Sequence, residues 1–97
     1  MNINIPEWID QDISKDTIRA IYEHGAESGV YMPAVSYGPA LETMYHHGDD
    51  VLDYIETRLG ELPDVTGKSW SGMARTYLCA AIDLWAAEAM VEMEGDQ

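Results

Sequence analysis

Basic residues are scarce in this sequence. Lys15, Arg19, Arg58, Lys68 and Arg75 stand against eighteen acids, a formal net charge of -13 at pH 7 over 97 residues. Small soluble domains usually carry a magnitude of about 2 to 8. An excess of this size excludes nucleic acid and anionic membrane as direct partners and favours a basic one. Cysteine is nearly absent too: Cys79 alone allows no internal disulfide and no multi-cysteine metal cluster, which suits a reducing cytoplasm. No stretch reaches about 18 uninterrupted apolar residues, and MNINIPEWID lacks the basic and apolar regions of a secretory signal. The expectation is a cytoplasmic chain that is neither secreted nor membrane-spanning. There is no glycine-rich phosphate loop, and Ser69, Ser71, Cys79 and the histidines form no nucleophile motif. Neither catalysis nor a cofactor is called for.

What is present is the punctuation of helices. An apolar content of 46% supports one folded domain over residues 1–97. Ser14 reads as the N-cap of KDTIRAIYEH, with Asp16 in its first turn, an apolar stripe at Ile18, Ile21 and Tyr22, and Gly25 at the far end. Residues 30–39, VYMPAVSYGP, read as an ordered loop packed on the core. Ser36 or Tyr37 opens the next helix, with Pro39 in its first turn and Leu41, Met44 and Tyr45 as its stripe. A third helix is expected from Asp49 or Asp50 to Leu59, stopped by Gly60 and Pro63, and a fourth from the Ser69 cap through Trp70 to about Met93. Pro6–Gln11 is a candidate fifth. INI and GVYM are the only weak strand candidates, so the expected class is all-α: a compact bundle of four to five short helices with a long C-terminal core helix.

Residues 44–54, MYHHGDDVLDY, admit two readings. His46, His47, Asp49 and Asp50 have the composition of a metal site. Adjacent histidines, however, diverge by roughly 100° around a helix, whereas ligand pairs on helices sit three or four apart. The junction reading needs only local physics: histidines in a last turn, Gly48 as a left-handed C-cap, and Asp49 or Asp50 capping the next helix. IYEHG at residues 21–25 echoes MYHHG at 44–48, which suggests that both helices end in the same way.

On a helical wheel Val51, Leu52, Tyr54, Ile55 and Leu59 fall on one side, with Asp49, Asp50, Asp53 and Glu56 on the other. Arg58 lies toward the apolar side, so the acids form an unneutralised stripe, and Glu61 and Asp64 extend it. Neighbours three or four apart are about 5 to 6 Å from each other, close to phosphate spacing along a nucleic-acid strand. Solubility alone does not require such concentration. In the last helix Trp70, Met73, Ala74, Tyr77, Leu78, Ala81, Leu84 and Trp85 make a wide apolar band opposite Arg75, Thr76, Cys79 and Asp83. Glu88 interrupts that band. Either the helix has run past the core there, or Trp85, Met90, Val91 and Met93 form a self-association or partner surface, for which a homodimer is one outcome.

In size, charge and its unpaired acidic helix at 49–60, the chain resembles the small acidic proteins that bacteriophages and mobile elements use against host defences. These are the anti-CRISPR and antirestriction proteins, several of which mimic nucleic acid. The resemblance implies non-enzymatic inhibition by binding a basic nucleic-acid-binding surface of a CRISPR effector or a restriction enzyme. Asp49, Asp50, Asp53 and Glu56 would be the main contacts and Glu61 and Asp64 secondary ones. An alternative contact surface is the apolar loop around Tyr31, Met32 and Tyr37. Alternative functions are a metal-dependent enzyme or regulator centred on HHGDD, and a small structural or assembly protein.

Overall fold

The computed structural model describes residues 3–9, 12–31 and 37–95. Among them lie three α-helices, α1 (Lys15–His24), α2 (Tyr37–Leu59) and α3 (Trp70–Gly95), and a 3-10 turn, η1 (Ala26–Ser28); none forms a strand. None of these helices is long and apolar enough to cross a membrane.

α3 is the axis of the molecule because it is apolar nearly all round. Ala74, Tyr77, Leu78, Cys79, Ala81, Ile82, Trp85, Ala86, Ala89 and Met90 are all buried, a set that covers far more than one stripe. Such a helix has to be covered from several sides. α1 with η1 packs on one side and α2 on another, while α1 and α2 do not meet. Ser69 starts α3 by accepting the Gly72 N–H at 3.3 Å. Ser14 does the same for α1 through the Thr17 N–H at 3.1 Å. α1 then buries Ile18 and Ile21 and stops at Gly25, whose φ of 85° is open to glycine. Asp83 of α3 reaches across to accept the Ala26 N–H at 2.7 Å and so fixes η1.

The expected bundle of four to five helices is corrected in two places. The two helices foreseen on either side of Gly48 are one element with a kink at His47 (φ -127°, ψ 17°). Gly48 does not have positive φ and is no left-handed cap. Continuing the helix keeps Ala40, Met44, Val51 and Ile55 in phase against the core, an apolar gain that outweighs a stop signal of one residue. At the N-terminus, residues 7–9 form a turn closed by the Ile9 N–H on the Pro6 carbonyl at 3.0 Å. Trp8 and Ile9 are both buried there, and so short a segment gains little against the cost of helix nucleation; residues 10 and 11 lie outside the described part.

Four side chains expected in apolar stripes are exposed: Tyr22 (56%), Tyr45 (80%), Leu59 (52%) and Trp70 (53%). Cys79, expected on the polar strip of α3, is buried instead, and burial pushes its thiol up to about 11. Nor does α3 leave the core at Glu88, since Ala89 and Met90 beyond it are buried. Trp85 and Met90 are core residues, which leaves Val91 (70% exposed) and the half-buried Met93 of the self-association surface foreseen there.

Candidate interaction face

The two sides of α2 are built from opposite chemistry. Ala40, Met44, Val51 and Ile55 face α3 and are buried, together with Thr43. Glu42, Tyr45, His46, Asp49, Asp50, Asp53 and Glu56 are exposed. At 100° per residue all seven fall in one sector opposite the buried stripe. The helix therefore brings Asp49, Asp50, Asp53 and Glu56 together as the sequence predicts, and adds Glu42, Tyr45 and His46 to them.

Compensation on this face is slight. His46 approaches Glu42 at 4.0 Å and His47 approaches Asp50 at 3.9 Å. Among the described residues no Lys or Arg is within ion-pair distance of Asp49, Asp50, Asp53, Glu56, Glu61 or Asp64; Arg19 pairs with Asp16 at 3.7 Å and Arg58 with Glu88. α2 passes through Gly48 with a kink at His47, and Asp49 and Asp50 stand just beyond that kink. Neither carboxylate accepts a backbone N–H among the described residues, so the capping role foreseen for them is not made.

Arg58 is the cation that α2 could have offered, and it is turned the other way. Nine positions from Asp49, half a turn round the wheel, its guanidinium lies over the Tyr54 ring at 3.4 Å and binds the Glu88 carboxylate of α3. Tyr54 also donates its hydroxyl to Glu88 at 2.8 Å, and its ring meets Trp8 edge-on at 5.3 Å. Trp85 donates its indole N–H to the Asn4 carbonyl at 3.0 Å. The N-terminal segment, α2 and α3 are thus tied at one point. Arg58 holds the Glu88 carboxyl below its ordinary range, and burial with the Glu88 bond pushes the Tyr54 hydroxyl up. The sequence presented Glu88 as an anomaly in the apolar band; its explanation is a partner thirty residues earlier.

The remaining candidates fall in different places. Glu61 is exposed in the connection after α2. Asp64 is occupied locally: it accepts the Thr66 N–H at 2.9 Å, and the Thr66 hydroxyl and amide hold its carboxyl below the usual range. Tyr31 is buried at 3% exposure and belongs to the core. Met32 lies outside the described residues, and of Tyr37 the backbone alone is described, as the first residue of α2. His46, His47, Asp49 and Asp50 do not converge, and among the described residues no three of His, Cys, Asp or Glu are placed to hold a metal ion. Glu42 and Tyr45 were legible in principle, since they sit seven and four residues before Asp49 on the same wheel sector.

No protein-family model matches this chain, and no curated protein or solved structure does either.

Proposed function

We propose that this protein is a non-enzymatic inhibitor that presents the outer face of α2 to a basic nucleic-acid-binding surface and keeps nucleic acid from it. The observation that carries this reading is the asymmetry of α2. Asp49, Asp50, Asp53 and Glu56 stand exposed with no Lys or Arg against them among the described residues, while Arg58 of the same helix is engaged on the opposite side. Such a row is not explained by helix stability, because like charges three and four apart cost a few tenths of a kcal/mol per pair. It does suit a groove lined with Lys and Arg, where long-range attraction gives fast, salt-sensitive association. With a net charge of -13, the chain itself is repelled by nucleic acid. The class of protein that fits is the phage or mobile-element anti-defence protein acting in a bacterial cytoplasm, with a CRISPR effector subunit or a restriction enzyme as target.

The test is inhibition of such a complex by the wild-type chain and by a variant with Asp49, Asp50, Asp53 and Glu56 changed to Lys. Loss of inhibition with unchanged helical circular dichroism is expected. Full inhibition by the folded variant would exclude the reading.

A further inference from the structure

The acidic face also contains an aromatic that the fold does not use. Tyr45 is 80% exposed, the most exposed of the large apolar side chains described. It stands edge-on to His46, with ring centroids 5.2 Å apart. Beside it, at the kink, is an open depression of about 280 Å³ lined by residues 44–50, including Tyr45, His46, Asp49 and Asp50. An aromatic ring, carboxylates that accept hydrogen bonds, and a hollow of side-chain size are the elements that recognise a planar cation.

The chain contains a worked instance of the same chemistry. Around Arg58, the Tyr54 ring lies 3.4 Å from the guanidinium carbon, and Glu88 takes the guanidinium nitrogens. At the kink the pairing of a tyrosine with carboxylates recurs on the outside: Asp49 lies four residues beyond Tyr45, within reach on one helix face.

We propose that the kink of α2 is an arginine-receiving site: a guanidinium of the basic partner enters the depression, lies against Tyr45 and bonds to Asp49. This rests on the reading of α2 as the interaction face and names the side chain that it selects. Charge alone attracts Lys and Arg equally, whereas a ring beside carboxylates favours the flat, forked guanidinium over the compact ammonium. Tyr45 is therefore a specificity-determining residue on a surface whose attraction is otherwise unspecific.

The experiment is calorimetric titration of the whole protein with nona-arginine and with nona-lysine peptides at the same low salt, for the wild type, Tyr45→Leu and Tyr45→Phe. Tyr45 is exposed, so its replacement leaves the core packing unchanged, and circular dichroism checks the fold. The wild type is expected to favour nona-arginine by about two- to fivefold, the size of an exposed cation–ring contact. Tyr45→Leu should bring the two peptides to parity by weakening nona-arginine alone, and Tyr45→Phe should keep the preference. Equal binding of both peptides by the wild type, or an undiminished preference in Tyr45→Leu, would overturn the arginine site and leave the acidic-face reading standing. Failure of both peptides to bind would overturn both readings.

Discussion

The two faces of α2 treat the same chemistry in opposite ways. On the inner side, Arg58, Tyr54 and Glu88 form a closed set: the cation sits on the ring and between the carboxylate oxygens, and three parts of the chain are joined by it. On the outer side, ring and carboxylates are present with no Lys or Arg against them among the described residues. A helix that merely needed solubility could have placed Lys or Arg among the outer acids and lowered their repulsion. That the one cation of α2 is engaged with α3 separates what holds the fold from what the fold displays.

The comparison is broken most sharply by exchanging burial for charge. Ile55→Ala, on the inner face, removes a fully buried side chain and is expected to cost about 3 kcal/mol by urea unfolding. Changing Asp49, Asp50, Asp53 and Glu56 together to their amides should instead raise stability by up to about 1 kcal/mol, through relief of like-charge pairs. Equal destabilisation by both would mean that the outer acids serve the fold.

Asp83 is the next test, because it is a carboxylate committed to structure. Asp83→Ala strips the buried Ala26 of its N–H acceptor and should cost about 1 to 2 kcal/mol. Asp83→Asn keeps an acceptor and should be near neutral, since burial already holds the Asp83 carboxyl above its usual range. The inner pair gives a smaller effect. Glu88→Gln should cost about 1 kcal/mol, a figure discounted for a carboxylate that is half exposed. Its sign with pH follows from the lowered carboxyl: the stabilisation is fully present above the ordinary Glu value of about 4.3 and fades as pH falls through the lower folded value. The gap between wild type and Glu88→Gln in urea midpoint should therefore close on acidification.

The smallest expected effect concerns the kink. Gly48 lies inside a helix without positive φ, and a methyl there would meet Met44 at an ordinary 3.8 Å. Gly48→Ala should stabilise by roughly 0.5 kcal/mol. A loss of stability would restore Gly48 as a terminus that needs glycine.

That residue also marks where the sequence stops being a sufficient guide. IYEHG and MYHHG carry the same end signal, yet α1 ends at His24 and α2 continues past Gly48. The difference lies downstream: Val51 and Ile55 follow Gly48 in phase with Ala40 and Met44, while Gly25 is followed by Ala26 in η1 and by the left-handed Gly29. Capping is local and readable, as Ser14 and Ser69 show. Whether a stop is obeyed depends on what α3 has left to bury. The same limit applies to the candidate face. Helical spacing alone located Asp49, Asp50, Asp53 and Glu56, whereas the fate of Arg58 and the exposure of Tyr45 are set by neighbours on another helix or by their absence from the core.

The outer face of α2 is proposed as the surface that a basic partner recognises. The most direct measurement is capture of partners from a bacterial lysate by the wild-type chain and by the variant with Asp49, Asp50, Asp53 and Glu56 changed to Lys, each at low and high salt. A nucleic-acid-binding protein is expected to be held by the wild type at low salt, released at high salt, displaced by DNA or RNA, and absent from the variant. The same partner held equally by both chains, and indifferent to salt, would contradict it.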